Sequence, residues 1–292
     1  MVKEALDKYK IFLLDTFKTF DKFCNAHNLS YFAAGGTAIG AIRHHGMIPW
    51  DDDIDVYMPR KDYERFLSLR DMLIPLGYSV SALGDKDFIY PFSKMYSSST
   101  TLIELHEAPR CCIGPYLDIF PLDEVSGNLD DVVRKKEEYL KLYARFFHSF
   151  FRPTMHNMSE WIHKKYFRTL ATSLAPLFVK KKFRADFIRY DKEWSSETGD
   201  YLFYHWATYP TERELYPKEW FSSYHYVPFE DCEIRVNDRI DEYLTQLFGD
   251  YMTPPPVEKQ MPEHKLYYLN LKERLCPADV RKRLKIKEHL VY

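Results

Sequence analysis

Gly35-Gly36-Thr37, followed after a short run by Asp51-Asp52-Asp53-Ile54-Asp55-Val56-Tyr57-Met58, are the two pieces of sequence whose reading decides the fold. Tyr31 to Ala34 is short and apolar, and it runs into the glycine pair as a buried strand runs into a tight turn. Thr37 is placed to cap the helix-like segment Thr37 to Arg43, and His44-His45-Gly46 closes that segment as a C-terminal cap does. Ile54 to Met58 reads as the next strand, with the acids at its start. Alternation along a strand aims Asp53 and Asp55 at one side, sends Ile54 and Val56 to the other, gives Asp51 the face of Asp53 and turns Asp52 away. Two carboxylates held that close repel unless a cation sits between them, and a hard divalent ion such as Mg²⁺ or Mn²⁺ takes oxygen ligands of this kind. The apolar neighbours Ile48, Trp50, Ile54 and Val56 argue that the segment is half buried, where an unpaired carboxylate is costly.

Working outward, Met1 to Asn28 carries Ile11, Leu14, Phe17, Phe20 and Phe23 at helical spacing and reads as an amphipathic helix. A second helix is expected over Arg60 to Leu73, and strands over Tyr78 to Leu83, Phe88 to Tyr96, Thr101 to Leu105 and Tyr116 to Pro121, the last carrying Asp118 among apolar neighbours. Helices and strands alternate through this part, which implies an α/β catalytic region. From about Asp130 to Trp194 the pattern is helical. Short extended pieces return from Tyr224, with a helix at Ile240 to Phe248 closed by Gly249 and Pro254-Pro255-Pro256. The expected division is residues 1–128 as catalytic core, 129–223 as a basic helical region and 224–292 as a segment that packs back on the core.

The composition, 46% hydrophobic and 29% charged, is that of a folded chain rather than a low-complexity one. Cys24, Cys111, Cys112, Cys232 and Cys276 form neither a disulfide framework nor a zinc-type spacing, and no stretch is apolar for long enough to span a membrane, so a cytoplasmic protein is expected. The net charge of -2 hides an asymmetry. Between Asp131 and Tyr190, 14 Lys or Arg face 5 Asp or Glu, a local net of +9. Phe146, Phe147, Phe150, Phe151, Trp161, Tyr166 and Phe167 lie there beside Arg152, Lys164, Lys165 and Arg168, a mixture suited to the anionic inner face of a membrane or to an acidic, lipid-linked acceptor. No nucleic-acid partner is expected.

The stretch from Gly36 through His44-His45-Gly46-Met47-Ile48-Pro49-Trp50 to Val56 resembles the signature of the LicD family of bacterial phosphocholine transferases, which are related to fukutin and fukutin-related protein. Tyr116 to Asp123 is similar to that family's second acidic strand, and Tyr243 to Met252 with Pro254-Pro255 is similar to its tail. The resemblance implies a nucleotidyltransferase-fold mixed sheet with flanking helices, in which Asp53 and Asp55 are metal ligands and Asp118 is the third acid, as ligand or as base. It also implies transfer of phosphocholine, or a similar phosphoryl-alcohol, from a CDP-choline-type donor to a sugar hydroxyl of a teichoic acid, lipopolysaccharide precursor or other cell-surface glycan. Gly35, Gly36 and Thr37 would then approach the donor phosphates, with Arg43, His44 and Lys94 as further phosphate-binding candidates. The 16 residues between Gly36 and Asp53 exceed the spacing of simpler members of the superfamily and match this branch. Three other readings are open. One is a nucleotidyltransferase that moves NMP from an NTP to a small alcohol. Another is a glycosyltransferase, disfavoured because only 52 residues precede Asp53. The last is an inactive binding member of the fold, against which the intact acids speak.

Overall fold

Two parallel strands, β2 (Asp55–Pro59) and β6 (Tyr116–Val125), form the centre of a mixed sheet whose order is β1-β2-β6-β4-β3. The computed structural model describes residues 2–104, 113–150, 166–262, 264, 266–285 and 290–291. Leu105, Cys111, Cys112, Phe151, Arg152, Trp161, Lys164 and Lys165, all singled out above, lie outside the described residues. β1 (Phe32–Ala33) runs antiparallel to β2, while β4 (Ser93–Ser97) runs antiparallel to both β6 and β3 (Tyr78–Ser81). The expected mixed α/β architecture is therefore present.

The register is what positions the site. Asp55 on β2 is opposite Asp118 on β6, and Asp118 is in turn opposite Lys94 on β4. The remaining residues of these strands are almost all buried, as in a sheet covered on both faces. One cover is α1 (Val2–Ala26), which buries Tyr9, Leu13, Phe17, Phe20 and Cys24. Those spacings follow one helical face, and Ile11 stands outside it at 66% exposure, so the apolar stripe is rotated from the one expected through Ile11 and Leu14.

α3 (Arg60–Leu69) is shorter than expected, because a tighter helical turn, Arg70–Leu76, takes over and ends at Gly77 with φ +87°. The strand expected over Phe88 to Tyr96 begins only at Ser93. A second, smaller sheet places β9 (Leu266–Asn270) between β5 (Thr101–Glu104) and β10 (Leu290–Val291), and β7 (Tyr224–Phe229) forms a hairpin with β8 (Cys232–Asn237).

The chain divides into two compact units. One comprises Met1–Ala82, Phe92–Leu122 and Tyr216–Tyr292 and contains Asp51, Asp52, Asp53, Asp55 and Asp118. The other comprises Leu83–Pro91 and Asp123–Leu215. Its helices are α4 (Leu129–His148), capped by the Asn128 carboxamide, which accepts from Asp131 N at 3.2 Å, then α5 (Phe167–Leu174) and α6 (Leu177–Trp194). Phe187 of α6 packs on Tyr139, Tyr143 and Phe146 of α4 at ring-centroid distances of 5.0, 5.5 and 4.9 Å. Leu83–Pro91 belongs here because Tyr143 donates its hydroxyl to Ile89 O at 3.1 Å, a long-range contact that composition along the chain does not reveal. Among the described residues no helix is long and apolar enough to cross a membrane.

Candidate active site

The glycine pair opens a short helix, α2 (Gly35–Ile39), which continues as a wider π-type turn over Gly40–His44. Gly35 has φ +49°, a conformation that glycine adopts without the penalty a side chain brings. Gly36 is needed for space, since a Cβ there would come within 2.9 Å of Asp51 Oδ2. Gly40 is required for the same reason, because a Cβ would meet Gly46 O at 2.5 Å where the chain folds back. His45 takes the left-handed conformation that ends the turn.

Thr37 does not cap α2. Its Oγ1 accepts the backbone N–H of Asp55 at 2.8 Å, and Ala34 N donates to Asp55 O at 3.0 Å, so the glycine turn and the acid-bearing strand are bonded to each other directly. Gly35 N donates to the hydroxyl of Tyr243 at 2.9 Å. Tyr243 comes from α8 (Ile240–Phe248), which follows the one-turn α7 (Thr211–Glu214) in the chain. This bond explains what the tail segment contributes: it fixes the turn from the other end of the sequence.

The strand starts at Asp55, so Asp51, Asp52 and Asp53 lie in the bend before it and strand alternation does not govern them. The expectation that Asp52 faces away is accordingly corrected. Asp52 is buried, with Oδ1 3.0 Å from His264 Nδ1 and Oδ2 accepting the His264 backbone N–H at 3.2 Å. Asp51, Asp52 and Asp53 can bring one carboxylate oxygen each to within 4.8 Å of one another. Lys10 of α1 holds this bend by donating to Ile48 O and Pro49 O, both at 3.0 Å.

Asp118 projects from β6 and is almost fully buried with Lys94, whose Nζ lies 2.8 and 2.9 Å from its two carboxylate oxygens. The same ammonium sits 3.4 Å above the Tyr116 ring. Lys94, expected as a phosphate clamp, is thus placed in a buried pair with the third acid. Arg43 is placed so that Nη1 donates to Tyr251 O at 2.6 Å and Nε to His44 Nε2 at 3.0 Å, while His44 meets Trp50 edge to face at 6.1 Å. These contacts brace the loop that carries the acids.

The electrostatics are those of crowded, half-desolvated negative charge. Burial, then the Asp55 carboxylate, pushes Asp53 well above the usual carboxylate range; burial, then Asp118, does the same to Asp55. Asp118 is pushed up to about 6 by burial, against the pull of Lys94. Burial alone would discharge His264, but the hydrogen bond it donates to Asp52 and the carboxylates of Glu104 and Asp52 hold it up at about 9. Asp55 Oδ1 is buried and has no hydrogen-bond partner among the described residues. A buried carboxylate oxygen without a donor, in a ring of further carboxylates, is the donor set of a hard divalent cation, so the residues present fit Mg²⁺ or Mn²⁺. His264 and Glu104, which receives the Tyr116 hydroxyl, were not foreseen.

Residues 28–159 match the family described as LicD/FKTN/FKRP, nucleotidyltransferase domain. Over 271 residues, covering 90% of this chain and 97% of the relative, the sequence is 29% identical to the lipopolysaccharide cholinephosphotransferase LicD of Haemophilus influenzae. The chain carries a LicD-family domain. By that similarity the protein is an enzyme, a transferase. It is also 35% identical to uncharacterized proteins of Rickettsia prowazekii and Rickettsia typhi, over 79 and 78 residues that make up 28% and 24% of those chains.

Proposed function

We propose that this enzyme transfers phosphocholine from a CDP-activated donor to a sugar hydroxyl of a cell-surface glycan, with a divalent ion held by Asp53, Asp55 and Asp118. The observation that carries the metal half of this reading is the buried, unpartnered Asp55 Oδ1 opposite Asp118. The similarity to a lipopolysaccharide cholinephosphotransferase over most of both chains supports the choice of cargo.

A divalent ion bound there supplies charge neutralisation for the donor diphosphate and for the nucleotide that leaves. The chain's own residues do the positioning. Thr37 ties the Gly35-Gly36 turn to the start of β2, and Tyr243 holds it by accepting the Gly35 N–H. Lys94 fixes the orientation of the Asp118 carboxylate. His264 lies 3.0 Å from Asp52 Oδ1 and 3.8 Å from Asp53 Oδ2, and so steadies the bend that carries both acids.

The reading is tested by incubating the protein with Mg²⁺, an acceptor glycan and a panel of CDP-choline, CDP-ethanolamine and nucleoside triphosphates. CMP from CDP-choline is the expected nucleotide product, and Asp53→Asn should lose it while keeping the fold. Release of pyrophosphate from a triphosphate in its place would make the enzyme a nucleotidyltransferase.

A further inference from the structure

Leu174 at the end of α5, and Leu177 and Phe178 in the first turn of α6, are exposed at 54%, 66% and 74%. They surround the corner Ala175-Pro176. Nothing among the described residues covers them, and side chains of this size rarely stand together in water without a partner. Phe167, at the other end of α5, is 60% exposed as well.

The corner is held in shape: Lys180 donates to Ser173 O at 2.5 Å, and Ala175 N to Thr172 O at 3.3 Å. α6 is anchored elsewhere, through Phe187 in the core and Arg184, which donates to Ser149 O at 3.0 Å. The apolar tip is therefore not an unfinished part of that core.

Charge identifies the partner. From Phe167 to Lys182 the sequence contains Arg168, Lys180, Lys181 and Lys182 and no acid. Lys181 and Lys182 are exposed and follow Leu177 and Phe178 one helical turn later, on the same faces. An apolar tip backed by a collar of cations is complementary to an anionic bilayer: the side chains enter the interfacial region while the cations meet lipid phosphates.

We propose that the α5–α6 corner is a docking element for anionic lipid membranes, with Leu174, Leu177 and Phe178 inserting and Lys181 and Lys182 contacting headgroups. This goes beyond the transfer reaction and stands without it.

Co-sedimentation of the full chain with vesicles of phosphatidylcholine, with and without 30% phosphatidylglycerol, tests it. Binding is expected only to the anionic vesicles and should weaken as salt is raised. Because the altered residues are exposed, the variants should fold, which circular dichroism verifies. Lys181→Gln and Lys182→Gln should each weaken binding roughly fivefold. Leu177→Ser with Phe178→Ser should weaken it by more than roughly tenfold. Equal sedimentation with neutral and anionic vesicles would overturn the proposal. So would anionic binding that survives the Leu177/Phe178 change, or retention on a soluble sulfated polysaccharide that competes fully with vesicles, since either would reduce the corner to a cationic patch.

Discussion

Lys94→Met removes one member of a buried ion pair and leaves the other in place. Lys94 and Asp118 have side chains only 2% and 6% exposed, and the Lys94 ammonium contacts both Asp118 oxygens. Taking away one partner of such a pair costs about 3–5 kcal/mol, because the remaining charge is desolvated without compensation. Replacing both partners by apolar groups is often close to neutral. Lys94→Met alone should therefore destabilise the protein by about 3–5 kcal/mol, a fall in melting temperature of roughly 10 °C for a chain of this size. Lys94→Met with Asp118→Leu should recover to within about 1 kcal/mol of the parent, so the second change should restore at least about 2 kcal/mol of what the first one costs. Urea unfolding and scanning calorimetry in EDTA measure it. A single variant within about 1 kcal/mol of the parent, or a double variant no better than the single, would refute the claim that Lys94 and Asp118 stabilise each other in the interior.

Three further outcomes follow from particular contacts. Glu214 is buried, with Oε1 accepting from Tyr209 N at 2.7 Å and Oε2 unpartnered, and burial pushes its carboxyl up to about 7 against a usual 4.5. The folded state holds that proton more tightly than the unfolded chain, so its stabilising effect is complete below about 4.5 and is lost as pH rises through about 7. Glu214→Gln should thus match the parent at pH 4 and exceed it by up to about 3 kcal/mol at pH 8, read by chemical denaturation at both values. Tyr243→Phe deletes the acceptor for Gly35 N and should cost about 1–2 kcal/mol; unchanged stability by urea titration would show that the tail does not hold the turn. Gly36→Ala brings a methyl group against Asp51 Oδ2 and should cut transferase activity at least about tenfold, equivalent to about 1.4 kcal/mol, with little change in secondary structure by circular dichroism.

Much of the acid-bearing unit was legible because its signals are local. The apolar run into Gly35-Gly36, the alternation along Ile54 to Met58 and the buried strand around Asp118 each declare themselves within a few residues, and the strands observed there, β1, β2 and β6, follow. Asp52 was misplaced because the pattern of a strand was extended into a bend that precedes it. Lys94 could be placed on an extended segment but not opposite Asp118, since pairing register between elements of different sequence distance is not written in either one. His264 and Tyr243 reach the site from far along the chain, and a lone histidine in a polar tail carries no local mark of a buried carboxylate partner. The inclusion of Leu83–Pro91 in the helical unit has the same cause.

Metal binding by the carboxylates tests the central claim most directly. Calorimetric titration of the metal-free protein with Mn²⁺ should show saturable binding, and Asp55→Asn should weaken it by at least about tenfold without altering the fold, because one ligand charge is lost at nearly constant shape. Equal Mn²⁺ affinity in the parent and Asp55→Asn, or none in the parent, would contradict a metal site at the head of β2.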